Sequence, residues 1–365
     1  MRILNGLEAL PAPNRERGSV ATVGVFDGVH LGHFLVLRKL VARARERGAR
    51  ATMVTFANHP KEVVLGAAPP TITSLEHRLL LFRRAGVDEV LVLEFSPELR
   101  ALTAEEFVRR ILLDGLGMVD LVFGFDSKFG RDRGGNPESL APLAAETGFS
   151  MEVVPPLRLG GRAVSSSAIR EAVALGDLAK AAVMLGRPVS VLGTVVRGAG
   201  RGRDLGWPTA NLDLHHELHP PPGVYAALAL PDPAGPGADE SAADEAARLL
   251  PAVVHVGGSP TFGAGGSVEV HLLEGGGDLY GRELEPFFLA RLREARRFPD
   301  AAALGAQIAR DAEAARLVTA RAGEDWRIPG RYLPIEGVRL EQLLGDRDAA
   351  DSTRRDTGQP EGRSV

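Results

Sequence analysis

The sequence predicts an α/β domain built on a parallel sheet, followed by a small antiparallel β-barrel. Two observations support this fold class. Residues 19–154 alternate short apolar runs with helical patterns, and strand–helix–strand repeats form parallel sheets covered by helices. After about residue 188 the pattern changes to short strand-like runs separated by glycine and proline, which is typical of a small barrel. We therefore expect two domains of different class in one chain.

The composition excludes several classes of protein. The 365 residues are 44% hydrophobic and 25% charged, as in ordinary globular proteins. The chain has no cysteine, which excludes disulfides, thiolate metal sites and iron–sulfur clusters, and we expect a cytoplasmic protein. We expect no membrane span and no signal peptide, because neither apolar pattern is present. The net charge of −4 argues against broad nucleic-acid binding, so any phosphate site must be local.

The elements of the first domain follow from its apolar runs. Residues 33–48 have apolar positions at helical spacing and end in Gly48, a residue that suits a helix C-terminus. Thr103 and Glu106 have the spacing of a capping box before another helix. Ligands of such sheets bind at the carboxyl ends of the strands. The predicted strands cover residues 19–26, 51–56, 89–95, 120–125 and 151–154.

The second domain is predicted from a different set of patterns. A helix follows its strands, near residues 300–318, and residues 231–246 resemble a loop insertion because they lack aromatic and large aliphatic side chains. The polar end of the chain, from about residue 346, is expected to be disordered. The predicted strands cover residues 189–198, 223–230, 251–258 and 267–274.

The segment GVFDGVHLGH, residues 24–33, lies where the first predicted strand meets the first helix. A helix N-terminus presents free N–H groups and partial positive charge, and it binds phosphate. His30 and His33, three residues apart, could both donate hydrogen bonds to phosphate oxygens. Two other interpretations stay open at this point: a zinc site, which needs a third protein ligand, and histidines with no role beyond packing.

This segment resembles the HxGH nucleotidyltransferases and, over a longer string, the N-terminal half of bacterial bifunctional riboflavin kinase/FMN adenylyltransferases. TFANHP at 55–60, LVFGFDSKFGRDRGGN at 121–136 and VSSSAIR at 164–170 match that family in order. The resemblance implies transfer of an adenylyl group from ATP to FMN, with Mg²⁺ assisting. It implies catalytic roles for His30, His33 and Arg170, ATP or phosphate contacts at Gly24, Phe26, Asp27, Gly28, Ser166 and Ser167, and flavin contacts at Asn58, Asp126 and Phe129.

A second candidate site lies in GTVVRGAGRGRDLGWPTANL, residues 193–212. The glycine-rich loop is not a Walker A motif, because no GK[ST] follows it, and by itself it could be a flexible surface turn. Thr209 and Asn211 are two residues apart, so in an extended segment their oxygens point the same way. Such oxygens could hold Mg²⁺, a hard cation.

This second segment resembles the flavokinase loop and its PTAN motif, and GVYA at 223–226, GGSPTFG at 257–263 and SVEVHLLE at 267–274 match the same family in order. The resemblance implies that Thr209 and Asn211 bind Mg²⁺ and that Glu269 removes a proton from the riboflavin hydroxyl. It also implies that three glycines cover ATP. For Glu269 the alternative is an outward-facing barrel residue. The three glycines are Gly198, Gly200 and Gly202.

The whole chain is interpreted as an α/β plus β enzyme. Residues 1–186 would form a doubly wound nucleotidyltransferase domain, residues 187–330 a six-stranded antiparallel flavokinase barrel with a C-terminal helix, and residues 331–365 an extension. The expected reactions convert riboflavin to FMN and FMN to FAD, with one ATP each and with Mg²⁺. We expect no nucleic-acid or membrane partner, and a monomer or weak homo-oligomer.

Two alternatives remain at this stage. The sequence departs from the family pattern in both halves, so one of the two sites could be inactive. The other alternative is a non-catalytic regulator that binds flavin or nucleotide on the same fold. The departures in the first half are Ala57 and Asn58 before HP and Ser127 where an aromatic residue is common. Those in the second half are His255 where asparagine is usual and residues 275–277 where an aspartate-containing run is common.

Overall fold

The computed structural model describes residues 1–10, 18–197, 206–214, 217–232, 249–257, 267–275 and 277–325. Gly198, Gly200 and Gly202 lie outside the described residues, as do residues 233–248 of the predicted insertion and the extension from residue 326 onward.

The first half contains one six-stranded sheet whose strands all run parallel, and it confirms the five strands predicted there. The strand order is β1-β4-β3-β2-β5-β6, so β3 lies on one side of β2 and β5 on the other. The first strand, which the sequence patterns did not predict, is added at the edge. The strands are β1 (Arg2–Asn5), β2 (Ser19–Val23), β3 (Arg50–Phe56), β4 (Glu89–Leu93), β5 (Met118–Gly124) and β6 (Ser150–Val154).

Helices cover both faces of this sheet. One buried cluster packs the helix after β2 and the helix before β4 on one face, and a second cluster packs the segment around residues 104–116 on the other. The capping box of Thr103 and Glu106 is confirmed. The helices are α1 (Leu31–Arg47), α2 (Pro60–Leu65), α3 (Leu75–Arg84), α4 (Pro97–Ala101), α5 (Ala104–Phe107), which continues into a π-helical segment (Val108–Gly115), α6 (Pro137–Thr147), α7 (Ser166–Ala174) and α8 (Leu178–Leu185). A short hairpin, β7 (Arg158–Leu159) and β8 (Arg162–Ala163), precedes α7.

The second half contains an antiparallel sheet in the order β10-β11-β14-β13-β12-β15-β9, and β10 pairs with β15 as well as with β11. The predicted C-terminal helix follows as α9 and packs on β12 and β13 through Ala315. Among the helices that the structure describes, α9 included, none is both long and apolar enough to span a membrane. The elements are β9 (Val189–Ser190), β10 (Gly193–Val196), β11 (Ala210–Asp213), β12 (Gly223–Pro231), β13 (Leu250–Val256), β14 (Val268–Leu272), β15 (Glu283–Arg293) and α9 (Ala301–Asp325).

Candidate active sites

The first candidate site lies at the carboxyl end of β2, between the two strands that extend the sheet in opposite directions. This is the point at which open α/β sheets bind ligands. The loop from β2 to α1 has an unusual backbone. Phe26 and Val29 have positive φ angles of 54° and 37°, and Gly28 has a φ of 82°. Because positive φ is unfavourable for residues with a side chain, other contacts must hold this loop in place.

The Asp27 carboxylate is one of those contacts. It is almost completely buried, and its Oδ1 accepts hydrogen bonds from the backbone N–H groups of Ile72 (2.9 Å) and Thr73 (3.1 Å). Its Oδ2 accepts a hydrogen bond from Arg170 at 2.7 Å. The N–H of Gly28 donates to the hydroxyl of Thr73 at 2.8 Å. Asp27, predicted as a nucleotide-binding residue, therefore joins the loop to segment 71–74 and to α7.

His30 and His33 lie together at the start of α1, and their rings stack with centroids 3.6 Å apart. His30 is the N-cap, and its Nδ1 accepts a hydrogen bond from the backbone N–H of His33 at 3.3 Å. A neutral His30 therefore carries its proton on Nε2. The ring of Phe26 lies 4.6 Å from that of His33 and is tilted by 33° to it. No third side chain joins them in a group suited to a metal ion among the residues that the structure describes.

Both imidazoles are held in the neutral form. Burial, and then the positive charge of Arg187, lower the pKa of His30 to about 3. Burial, together with His30 and Arg187, also lowers the pKa of His33 well below its ordinary value. At neutral pH each ring therefore offers one N–H donor and no charge. Positive charge near the rings comes from two guanidinium groups, that of Arg187 and that of Arg170, and Arg170 is paired with the Asp27 carboxylate.

The predicted VSSSAIR motif meets the histidine loop at the start of α7. Ser165 caps the helix, and its hydroxyl accepts a hydrogen bond from the N–H of Ala168 at 3.3 Å. The hydroxyl of Ser166 donates to the carbonyl of Asp27 at 2.9 Å, and Ser167 is exposed. The structure thus brings Ser166 and Arg170 to the histidine loop. Gly24 also belongs to the loop, at the end of β2.

His59 is a residue of this site that the sequence interpretation missed. It caps α2, directly after β3, and its Nδ1 accepts a hydrogen bond from the N–H of Lys61 at 3.1 Å. Burial and the charge of Arg170 lower its pKa, and the charge of Asp27 acts in the opposite direction. Its position was available from the sequence, since β3 is the neighbour of β2 and the carboxyl ends of adjacent parallel strands lie at one edge.

The predicted flavin residues have mixed surroundings. The side-chain amide of Asn58 donates to the carbonyl of Phe95 at 3.1 Å and accepts from its N–H at 2.8 Å. Phe129 is buried in the core, where its ring lies 6.0 Å from that of Phe123. Asp126 is exposed just after β5. Asn58 and Phe129 therefore have structural contacts, and the flavin contacts of all three residues stay predictions.

The second candidate site is a row of polar residues across three strands. Asn211 of β11 lies directly opposite Glu269 of β14, and Glu269 lies opposite His255 of β13. Opposite residues of antiparallel strands point to the same face. Val268 and Val270, on either side of Glu269, are buried on the other face, whereas the three polar residues are half-buried. An amide, a carboxylate and an imidazole thus share one accessible face.

The PTAN segment contacts β14, the strand that carries Glu269. The Nδ1 of His271 lies 2.7 Å from the carbonyl oxygen of Pro208, and the rings of Trp207 and His271 meet edge-on at 5.1 Å. Thr209 is half-buried next to these contacts. The start of β11 is therefore held against β14, with Thr209 and Asn211 two residues apart near Glu269.

Comparisons with known proteins cover both sites. A family model for FAD synthetase matches residues 12–168, and one for riboflavin kinase matches residues 185–319. A bifunctional riboflavin kinase/FMN adenylyltransferase of Pseudomonas fluorescens is 38% identical over 322 residues, which are 88% of this chain and 98% of that protein. The chain belongs to the bifunctional riboflavin kinase/FMN adenylyltransferase family. A member of that family from Escherichia coli K12 is 36% identical, over 87% of this chain and 97% of its own length.

The fold of this family member is also seen in a solved structure. A Streptococcus pneumoniae chain described as a macrolide-efflux protein has a TM-score of 0.70 and 28% identity, over 87% of this chain and 99% of its own length. The likeness therefore spans both sheets. The loop with His30 lies in the part matched by the FAD synthetase model, and the Asn211–Glu269 pair lies in the part matched by the riboflavin kinase model.

Proposed function

We propose that this chain phosphorylates riboflavin to FMN and then transfers the adenylyl group of a second ATP to FMN, giving FAD and pyrophosphate. One observation carries the proposal: two separate polar constellations, each suited to one of these reactions, lie in the two matched halves of one chain. The reactions themselves are those named for the relatives from Pseudomonas fluorescens and Escherichia coli.

Adenylyl transfer would take place at the start of α1. A phosphate oxygen of FMN attacks the α-phosphorus of ATP, the bond to the β-phosphate oxygen breaks, and pyrophosphate leaves. The attacking group is already an anion, so the reaction needs positioning and charge stabilisation rather than a strong base. The neutral rings of His30 and His33 would donate hydrogen bonds to the phosphates. Arg170 and the N-terminus of α1 would supply positive potential.

Riboflavin phosphorylation would take place beside β14. The terminal ribityl hydroxyl attacks the γ-phosphorus of ATP, ADP leaves, and Glu269 accepts the hydroxyl proton as general base. The Thr209 hydroxyl and the Asn211 amide oxygen are oxygen donors of the kind that suits a hard cation such as Mg²⁺, and Asn211 lies opposite Glu269 in the sheet. We propose that Thr209 and Asn211 hold Mg²⁺ here, where the ion would neutralise charge on the ATP phosphates.

Several finer features belong to this proposal. Pairing of β10 with both β11 and β15 supports closure of six strands into the predicted barrel. We keep residues 1–186 and 187–330 as the two domains, because α8 ends at Leu185 and β9 begins at Val189. A cytoplasmic location, flavin contacts at Asp126, ATP contacts at Ser167, and a monomer or weak homo-oligomer also remain predictions.

The test is a time course with riboflavin, excess ATP and Mg²⁺, in which riboflavin, FMN and FAD are separated by chromatography. FAD that appears after transient FMN supports both activities. His30→Ala should then stop the pathway at FMN, and Glu269→Ala should block FMN formation while FMN is still converted to FAD. If the unmodified protein accumulates FMN and forms no FAD, only the riboflavin kinase activity is present. Flavin binding with no product would contradict the proposal in favour of a binding protein.

A further inference from the structure

The kinase half of the chain contacts the histidine loop directly through Arg187. This guanidinium is 5% exposed, and it donates hydrogen bonds to the carbonyl oxygens of Gly28 (2.8 Å) and Val29 (3.1 Å). Both carbonyls belong to the two residues that precede His30. Since charge-assisted hydrogen bonds from a planar guanidinium fix geometry well, Arg187 restrains the backbone that presents His30.

A second contact runs through Glu217 and segment 71–74. The Glu217 carboxylate accepts hydrogen bonds from the backbone N–H of Ser74 at 2.7 Å and from that of Leu192 at 2.8 Å, so it joins the two halves. The N–H of Leu218 donates to the carbonyl of Thr71 at 2.7 Å. Segment 71–74 is the one that holds Asp27 and Gly28. Glu217 is therefore connected to the histidine loop indirectly: it binds segment 71–74, and that segment binds Asp27 and Gly28.

A buried charge cluster surrounds Glu217. His77 of α3 lies between two carboxylates, with Nδ1 3.0 Å from Glu217 and Nε2 2.9 Å from Glu285. Arg84, also of α3, donates to the second oxygen of Glu285 at 3.2 Å. His77 and both carboxylates are fully inaccessible to solvent, and the cluster pairs two basic groups of the first half with two acidic groups of the second. Breaking such a pairing leaves a buried charge without a partner.

We propose that Glu217 and Arg187 are positioning residues for the adenylyltransferase site: residues of the kinase half set the geometry of the loop that carries His30. Glu217 acts through segment 71–74 on Asp27 and Gly28, and Arg187 acts on the loop carbonyls. The inference rests on the proposed function and deepens it, because it makes one reaction depend on residues that lie in the domain of the other.

The test uses the full chain and measures both reactions separately, FMN with ATP and riboflavin with ATP, each with Mg²⁺. Glu217→Gln keeps the shape of the side chain and removes its charge. We expect kcat for FMN adenylylation to fall about 10- to 100-fold, because a displaced loop mispositions the reacting phosphates. The KM values for FMN and ATP and the kcat for riboflavin phosphorylation should each stay within roughly threefold of the unmodified protein.

The matched control is Glu285→Gln. It removes one carboxylate charge from the other side of the same imidazole, but Glu285 has no hydrogen bond to segment 71–74 in the described residues. Its adenylylation rate should stay within about threefold of the unmodified protein. Equal losses in both glutamine variants, or equal losses in both reactions, would indicate a general effect on folding and would overturn the proposal. So would an unchanged adenylylation rate in Glu217→Gln.

Arg187 provides an independent variant pair should Glu217→Gln fail to fold. Lysine can reach one of the two loop carbonyls and methionine neither, so adenylylation kcat should fall in the order unmodified, Arg187→Lys, Arg187→Met. Identical rates in all three would overturn the proposal.

Amide hydrogen exchange without substrates tests the positioning role independently of both reactions, so it can be interpreted even if one of the two activities is absent. Residues 24–30 and 71–74 should exchange faster in Glu217→Gln than in the unmodified protein or Glu285→Gln. Unchanged exchange in both segments would overturn the proposal even where both reactions proceed.

Discussion

The protonation state of His30 determines which part it can play in adenylyl transfer. With a pKa of about 3, the His30 imidazole carries no charge near neutral pH. It can donate one hydrogen bond from Nε2, because Nδ1 is occupied as an acceptor from the N–H of His33. The stacked pair therefore consists of neutral rings. The positive charges near it belong to Arg187 and to Arg170, and Arg170 is paired with the Asp27 carboxylate.

This assignment predicts the titration of the histidines. The imidazole resonances of His30 should not shift between pH 5 and 8, because its folded pKa of about 3 lies below that window. The resonance of His77 should shift near pH 9 instead, because its two carboxylate partners raise its pKa to about that value. Heteronuclear NMR of the ring protons measures both, with His30→Asn and His77→Gln used for assignment. A midpoint near 6.5 for His30 would contradict the assignment.

At the residue scale, motifs of several residues predicted the candidate site better than isolated residues did. HxGH and VSSSAIR predicted a single phosphate site. The structure places Arg170 of α7 beside the histidine loop, where it binds Asp27 and its charge acts on His30. The structural environment of Phe129 could not be predicted, because its packing depends on where β5 and α5 meet. The role of His77 could not be predicted from a local motif, because its two carboxylate partners are 140 and 208 residues away in the chain.

The loop between β2 and α1 makes a prediction at the scale of the element. Gly28 has a φ of 82°, and a Cβ added there would lie 3.0 Å from the Cδ1 of Ile72. Gly28→Ala should therefore cost about 1–2 kcal/mol of unfolding free energy for the left-handed backbone. It should also lower adenylylation kcat at least about 10-fold, because the loop must move away from segment 71–74. Urea unfolding and the FMN-to-FAD assay measure these two effects.

Gly48→Ala is the matched control for that prediction. Gly48 ends α1 with a φ of 61°, but a Cβ added there would meet nothing within 4 Å. The unfolding free energy should fall by a similar amount, about 1 kcal/mol, while adenylylation stays unchanged. Equal losses of activity in both alanine variants would show that backbone strain alone, rather than the position of the histidine loop, explains the effect.

The strand pair β11–β14 makes a second prediction at this scale. Glu269 faces Asn211 across the two strands, so Glu269→Gln keeps the side-chain shape and removes only the base. Riboflavin phosphorylation should fall about 100- to 10,000-fold in kcat, the usual contribution of a positioned general base, while conversion of FMN to FAD continues. Glu274→Gln, an exposed residue just after the same strand, serves as control. Full kinase activity in Glu269→Gln would assign Glu269 to the outward-facing barrel residues.

Strands with a regular apolar pattern were predictable, and those without one were not. The five strands predicted in the first half are rich in β-branched residues. Four of them, all except the edge strand β6, are buried along most of their length, so their apolar runs are continuous. Two strands of the second half were missed as strands. In β15 the alternation is interrupted by Pro286 and by arginines, and β11 is only four residues long. Both are specified by pairing with distant strands, which local sequence does not show.

At the scale of the whole molecule, the two halves are joined by buried charge rather than by apolar packing alone. His77 and Arg84 of α3 meet Glu217 and Glu285 of the second half, with no solvent at the imidazole or at either carboxylate. Burial opposes the charged form of His77, but the charges of Glu217 and Glu285 outweigh it. Arg84 and His77 likewise outweigh burial and lower the pKa of Glu285 to about 2. His77 and Glu285 are thus both ionised around neutral pH, and the stability of the cluster depends on the proton of His77.

That dependence gives a prediction for alkaline pH. The pKa of His77 rises from 6.5 in the unfolded chain to about 9 in the folded one. The protonated imidazole therefore stabilises the fold fully below pH 6.5, and this contribution is lost as the pH rises through 9. The loss is on the order of 3 kcal/mol. Urea unfolding at pH 6.5 and pH 9.5 should show that decrease in the unmodified protein. In His77→Gln, which cannot titrate, the decrease between the same two pH values should be smaller by that amount. Parallel decreases in the two proteins would mean that the proton on His77 does not hold the halves together.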